Sequence, residues 1–97
     1  MINRVRGDAP IRIDGEVRRL RLTFGALAEI ESGLGVSGLG ELGARLGRLS
    51  ASDLIIVLAA LLRGGGEDEA AEKIGAARVD LVEAAQAIAA TFHGAGA

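Results

Sequence analysis

The sequence predicts an α+β protein that is mostly α-helical. An Asp-Gly pair stands between two short segments of alternating polarity, which is the strongest local signal for a β-hairpin. Helical spacing of apolar residues fills most of the remaining chain. With 97 residues and 49% hydrophobic residues, the chain can form one small core. We expect a single domain over residues 1–93 and a flexible tail at 94–97, with the N-terminal hairpin packed on a bundle of four to five helices.

The hairpin is predicted at about residues 9–22, with Asp14-Gly15 as its turn. The apolar residues that alternate along its two strands are Ile11, Ile13, Leu20 and Leu22. Alternation of this kind buries one face of a two-stranded sheet and leaves the other in water. Residues 2–6 are compatible with a third short strand, with Gly7-Asp8 forming the turn that follows it.

Capping residues and apolar spacing together place the helices. Thr23, Ser37 and Ser50 are suited to N-cap positions, because a hydroxyl can accept from the free amides of the first helical turn. Gly33 is expected to end the first helix, and Gly64 begins the run of glycines that ends the third. The helices are predicted at about 24–32, 38–47, 51–63, 67–74 and 78–93. The second contains several glycines and should be weak, because each interior Gly costs roughly 0.5–1 kcal/mol relative to Ala.

The helix over residues 51–63 is apolar on all sides and therefore has to be enclosed. The residues expected at the centre of the core are Leu54, Val57, Leu58 and Leu61. Its other side carries Ile56, Ala59 and Ala60, where small residues would let a second helix approach closely. That helix could belong to this chain or to a partner. In the first case Ile56→Asp should unfold the domain, and in the second it should leave a folded monomer that no longer assembles.

The last helix has an apolar stripe that we expect to dock on the core. The stripe consists of Leu81, Val82, Ala85, Ile88, Ala89 and Phe92, and the opposite side carries Asp80, Glu83 and Ala87. This arrangement is typical of a surface helix with one buried face.

Composition excludes several classes of site. The chain has no Cys and one His, so it lacks thiol nucleophiles and thiolate zinc sites, and we expect neither metal nor cofactor. The net charge is −2, which disfavours binding to nucleic acid because that affinity grows with each phosphate neutralised.

The first 22 residues carry six Arg and do not resemble a signal peptide. The longest apolar run, 54–62, is shorter than the ~20 residues that cross a bilayer. We expect a cytoplasmic protein without membrane contact.

Short motifs in the chain favour structural explanations over chemical ones. Two matches to G-x-G-x-x-G, at 33–38 and 38–43, follow a helix instead of the strand that a dinucleotide site requires. Arg6-Gly7-Asp8 matches an integrin-recognition tripeptide but is explained by a turn. His93 suits the last turn of a helix, where a cation interacts favourably with the dipole. The carboxylates, including Glu29, lie on expected polar faces or helix starts, and we predict no catalytic residue and no enzymatic activity.

Three arginines of the second strand, Arg18, Arg19 and Arg21, admit two interpretations. They could contact an acidic partner surface. Long cationic side chains on an exposed sheet face also protect an edge from aggregation. We keep all three as candidate partner-binding residues, together with Ile56, Ala59 and Ala60.

Several segments of the sequence resemble the gene transfer agent tail protein family, which is related to the tail assembly chaperones of long-tailed phages. The resemblance runs from about Ile11 to Phe92. It is carried by the string Leu20-Arg21-Leu22-Thr23-Phe24-Gly25-Ala26-Leu27-Ala28-Glu29-Ile30-Glu31, by Leu39 and Leu42, by Ser50-Ala51-Ser52-Asp53-Leu54, and by Leu61-Leu62-Arg63-Gly64-Gly65-Gly66. Glycine is denser between 33 and 47 than the family pattern leads us to expect. The segment between 66 and 78 is also shorter.

The resemblance implies a small α-rich protein, encoded among alphaproteobacterial virion-like genes, that helps to build a phage-like tail. Within that class we expect a non-enzymatic tail assembly chaperone that binds the tape-measure protein and other tail proteins and forms weak homo-oligomers. The alternative is a structural subunit, a tail tube or tail terminator protein that stays in the particle. A third interpretation, a cytosolic regulator that binds a nucleotide near residues 33–43, is disfavoured by the context of its glycine motifs.

Overall fold

The computed structural model describes residues 7–96, which form an N-terminal antiparallel hairpin followed by five α-helices. The strands are β1 (Asp8–Ile13) and β2 (Glu16–Arg21), and the helices are α1 (Phe24–Leu34), α2 (Gly38–Leu46), α3 (Ala51–Gly64), α4 (Asp68–Lys73) and α5 (Leu81–Gly96). A short 3-10 turn, Ile74–Ala76, follows α4. The predicted α+β, mostly α class is confirmed. The strand expected at residues 2–6 lies outside the described residues.

The hairpin turn forms where the Asp-Gly pair predicted it. Asp14 and Gly15 both have positive φ, 52° and 82°, as a two-residue hairpin turn requires. The strands pair in register from Asp8 with Arg21 to Ile13 with Glu16. Asp8 therefore belongs to the strand, and only Gly7 of the expected Gly-Asp turn remains outside it.

The outer edge of β2 is covered by the end of α3. A Cβ atom on Gly64 would collide with the carbonyl oxygen of Arg21, and one on Gly65 would collide with that of Arg19. The backbone N–H of Arg19 donates to Glu67 Oε2 at 3.0 Å. These glycines let the backbone of the α3 terminus lie directly against the strand.

The outer edge of β1 is covered by the segment that leads into α5. The backbone N–H of Arg12 donates to Glu83 Oε1 at 3.3 Å. The Asp14 N–H donates to the carbonyl of Arg78 at 3.0 Å, and the Arg78 N–H donates to Asp14 Oδ1 at 2.8 Å. Both edges of the hairpin are thus engaged by this chain's own residues, which limits further strand pairing.

The core is built around α3, as the sequence predicts. Val57, Leu58 and Leu61 are buried, whereas Leu54 is only half-buried and lies towards the surface. The helix begins with a complete capping box. Ser50 Oγ accepts from the Asp53 N–H, and Asp53 Oδ2 accepts from the Ser50 N–H, each at 3.1 Å.

Helix α1 extends two residues beyond its expected end. Thr23 is the N-cap, and its Oγ1 accepts from the Ala26 N–H at 3.0 Å. The helix ends at Leu34, where Gly35 takes the left-handed conformation with φ 70°. Gly33, expected to be the terminator, instead allows α1 to approach α3.

Helix α5 is where the prediction was wrong in both start and face. It begins at Leu81 instead of 78, because Asp80 caps it: Asp80 Oδ1 accepts from the Glu83 N–H at 2.9 Å. It continues to Gly96, beyond the expected end at 93. The side that packs on the hairpin carries Ala84, Ala87, Ile88 and Thr91. Ala87, expected to face away from the core, is therefore buried, while most of the expected docking stripe is exposed.

Candidate functional site

The side of α3 that carries Ile56, Ala59 and Ala60 faces the interior of the protein. A Cβ atom on Gly33 would lie 2.5 Å from Ile56 Cγ2, so α1 and α3 are in close contact at this point. Ala60 is fully buried, Ala59 is 8% exposed, and Ile56 is half-buried. The close-approaching helix is therefore α1 of the same chain. A partner role for these three residues stays a prediction, and only Ile56 retains surface for it.

The three candidate arginines are half-buried, and two are engaged in ion pairs within the chain. Arg18 pairs with Glu16 at 3.1 Å and with Glu67 at 3.5 Å. Arg21 donates to both oxygens of the buried Asp8, at 2.6 and 2.9 Å, and this hydrogen bonding raises the pKa of Arg21. Among the described residues, the Arg19 guanidinium makes no ion pair. A partner contact by these arginines likewise stays a prediction.

An apolar surface runs along α5 on the side turned away from the hairpin. We call it the α5 stripe, and its exposed members are Leu81, Val82, Ala85 and Ala89. Leu81 is 70% and Val82 66% exposed. Exposed large apolar side chains in a continuous patch mark interaction surfaces more often than isolated ones do. Four of the six residues of the stripe predicted from periodicity are therefore exposed, whereas Ile88 is buried and Phe92 is half-buried against the core.

The C-terminal half of the α5 stripe opens into a groove of about 280 Å³ between α5 and the connection from α2 to α3. We call it the α5 groove. It is lined by Leu46, Gly47, Leu49, Leu54, Ala85, Ile88, Ala89 and Phe92. No charged side chain lines it, and the small residues leave its floor accessible. The partial exposure of Leu54, unexpected from the sequence, results from this groove.

A second aromatic residue, Phe24, is 92% exposed at the first position of α1. It follows the N-cap Thr23 and lies outside the buried face of α1, which carries Ala26, Ile30 and Leu34. The neighbouring Leu22 and Leu27, by contrast, are half-buried against the core. Sequence periodicity did not single out Phe24, although its place outside the apolar stripe of α1 was an available signal.

An ion pair that the sequence analysis did not predict holds α2 against α3. Arg45 donates to Asp53 Oδ1 at 3.0 Å and Oδ2 at 3.1 Å, and also to the Leu34 carbonyl at 3.1 Å. The hydrogen bonds from the Arg45 side chain have the largest effect on the pKa of Asp53, and the hydrogen bond from the Ser50 backbone N–H has the next largest. Both hold this pKa below its ordinary value. Leu42, which is buried, supplies the apolar contact of α2. The arrangement connects the ends of α1, α2 and α3 and offers no catalytic pair.

The remaining motifs are part of the scaffold. The two glycine motifs span the end of α1 and the whole first half of α2, and neither follows a strand. Asp8 of the Arg-Gly-Asp match is buried and bound to Arg21. His93 is exposed in the last turn of α5, and Glu29 pairs with Arg63. Within residues 7–96 no group of three or more His, Asp or Glu side chains is arranged to hold a metal ion.

No described helix combines the length and the apolar character needed to span a membrane.

These features define a small protein whose most distinctive surfaces are apolar, a class suited to binding other proteins. The family described as "Phage tail tube protein, GTA-gp10" matches residues 6–95, and the chain therefore belongs to this family of gene transfer agent and phage tail proteins. Neither the curated proteins nor the solved structures include a significant match to the chain.

Proposed function

We propose that this tail protein is a non-enzymatic assembly chaperone that binds the tape-measure protein in the cytoplasm before the tail tube forms around it. The observation that carries the proposal is the α5 stripe, where Leu81 and Val82 remain exposed on a face with helical spacing. A tape-measure protein has a long amphipathic helix whose apolar side needs cover until the tube encloses it. Helix-on-helix contact of this kind uses apolar anchors at i, i+3 and i+4.

The hairpin supplies a second argument. A tube ring is lined by a wide sheet continued from subunit to subunit, which needs strands with free edges. The strands of the described residues form one hairpin, and the backbone at its two outer edges already bonds to Glu67 and Glu83. This favours an assembly factor over a tube subunit.

The alternative is a structural subunit, a tail tube or tail terminator protein retained in the particle. It is favoured by the description of the family, which names a tail tube protein. A terminator needs no continuous sheet, so the hairpin argument weighs mainly against the tube.

The proposal is tested by co-expressing the chain with the tape-measure protein encoded in the same tail gene cluster. The unmodified chain should keep the tape-measure protein in the supernatant and co-purify with it. The double variant Leu81→Asp, Val82→Asp should lose co-purification, because two carboxylates would have to be desolvated in the contact. The matched control is Val17→Asp, which changes an exposed valine of the hairpin. If the double variant co-purified fully and circular dichroism verified its fold, the claim that the α5 stripe binds the tape-measure protein would be refuted.

A further inference from the structure

Phe24 and the α5 groove lie at opposite ends of the central helix. Helices α1 and α3 are antiparallel: a Cβ atom on Gly64 would lie 3.4 Å from the Ala26 Cβ at one end, and Gly33 meets Ile56 near the other. Phe24 therefore stands beside the C-terminal end of α3. The groove is lined by Leu54, which lies ten residues before Gly64 in α3. This separation corresponds to about 15 Å along the helix axis. Phe24 cannot fill the groove of its own chain.

We propose that Phe24 of one copy inserts into the α5 groove of a second copy, so that the protein associates head to tail. An apolar cavity of roughly 150 Å³ holds a benzene molecule, and the groove of about 280 Å³ accommodates a phenyl ring with its β-carbon. Phe24 is nearly fully exposed in the single chain, and side chains that become buried in an apolar pocket at the centre of a protein interface carry much of its binding energy.

The charges beside the two surfaces are complementary. Glu31 lies two turns after Phe24 on the same side of α1 and is half-buried. Arg48 lies between Gly47 and Leu49, which line the groove, and it makes no ion pair with the described residues. When Phe24 enters the groove, Glu31 of the same copy can approach Arg48 of the other. This complementarity favours a second copy over an uncharged occupant.

The contact joins two different surfaces, so each added copy leaves one anchor and one groove free. Such heterologous association produces a ring if the rotation closes and a chain if it does not. Leu81 and Val82 do not line the groove. Ala85 and Ala89 belong to both the stripe and the groove, but Leu81→Asp, Val82→Asp leaves the groove lining unchanged and Phe24→Ala leaves the stripe unchanged, so the two contacts can be tested separately. The inference does not depend on the proposed function.

The test is sedimentation velocity over a range of concentrations, on the full chain alone. The unmodified protein should form species larger than a dimer as concentration rises. Phe24→Ala removes the anchor and Ala89→Trp fills the groove, and each should weaken association by ~30-fold or more. Both positions are exposed, and unchanged circular dichroism should verify that both variants fold. Val17→Ala, at an exposed apolar position on the hairpin, is the control that should associate normally.

Mixing the two variants gives the decisive result. Phe24→Ala retains its groove and Ala89→Trp retains its anchor, so the mixture should form a heterodimer and nothing larger. A mixture that stays monomeric would overturn the proposal, and so would association of Phe24→Ala at the level of the unmodified protein. The proposal would also be overturned if the unmodified protein remained monomeric at every concentration while Phe24→Ala no longer co-purified with the tape-measure protein. In that case Phe24 would bind the tape-measure protein instead of a second copy.

Discussion

Gly33 lies where α1 passes closest to α3, and its missing side chain is what the packing requires. A Cβ atom there would be 2.5 Å from Ile56 Cγ2, closer than two carbon atoms can stand. Gly40 in α2 is a contrasting case, because a Cβ atom on it would meet nothing within 4 Å. The two glycines look alike in the sequence, where both interrupt a helical pattern.

Substituting each of these glycines with Ala should have opposite effects on the free energy of unfolding. Gly33→Ala should destabilise the protein by about 1–3 kcal/mol through overpacking against Ile56. Gly40→Ala should stabilise it by roughly 0.5–1 kcal/mol through helix propensity. Urea unfolding followed by circular dichroism measures both. Equal stability of Gly33→Ala and the unmodified protein would show that α1 and α3 are packed less closely than described.

Asp53 has a consequence for stability at low pH. Hydrogen bonds from Arg45 and Ser50 lower the pKa of Asp53 in the folded state. The ionised carboxylate therefore stabilises the fold at pH values above the unfolded-state pKa of about 3.9, and this stabilisation is lost as the pH falls through the folded-state pKa. Asp53→Asn should be less stable than the unmodified protein at neutral pH, and this difference should narrow as pH falls below about 4.

Thermal unfolding across this pH range measures the effect of Asp53. A stability difference between Asp53→Asn and the unmodified protein that stays constant from neutral to acid pH would contradict the ion pair with Arg45.

At the scale of elements, helices and the hairpin were predictable where their signals are local. Thr23, Ser50 and Asp14-Gly15 each act on backbone groups within a few residues, and the corresponding elements begin or turn where expected. The predicted start of α5 is wrong because the helical pattern places Asp80 on the polar face, whereas its side chain caps the helix. The backbone pairing of Arg78 with Asp14, 64 residues away, also left no signal in the local sequence.

The buried face of α5 could not be predicted from periodicity, because Leu81 and Val82, two of the large apolar residues of the helix, do not meet the hairpin. Ala84 and Ala87 lie on the side that packs, and their small size lets the helix come close to β1. Which face docks depends on the shape of the sheet, a long-range property. Similarly, the candidate site was predictable only as apolar periodicity on α5. The groove and the exposure of Phe24 depend on how α1, α3 and α5 are placed.

At the scale of the whole molecule, the folded chain covers most of α3 and leaves several large apolar side chains exposed, and two of these surfaces carry the contacts proposed above. One is the α5 stripe with its groove, and the other is Phe24 at the far end of α3. A tail protein that stays in a finished particle should bury such surfaces permanently against its neighbours. A chaperone instead exposes them before it meets its client and again after it leaves.

Quantitative mass spectrometry of purified mature particles tests the central claim, that this tail protein is an assembly factor, most directly. The chain should be present in lysates of cells that assemble tails and should be absent from the particles, or far below one copy per ring of the tube. Deleting its gene should at the same time abolish tailed particles. Recovery of the chain from mature particles at a fixed stoichiometric copy number would contradict the account and establish the structural alternative.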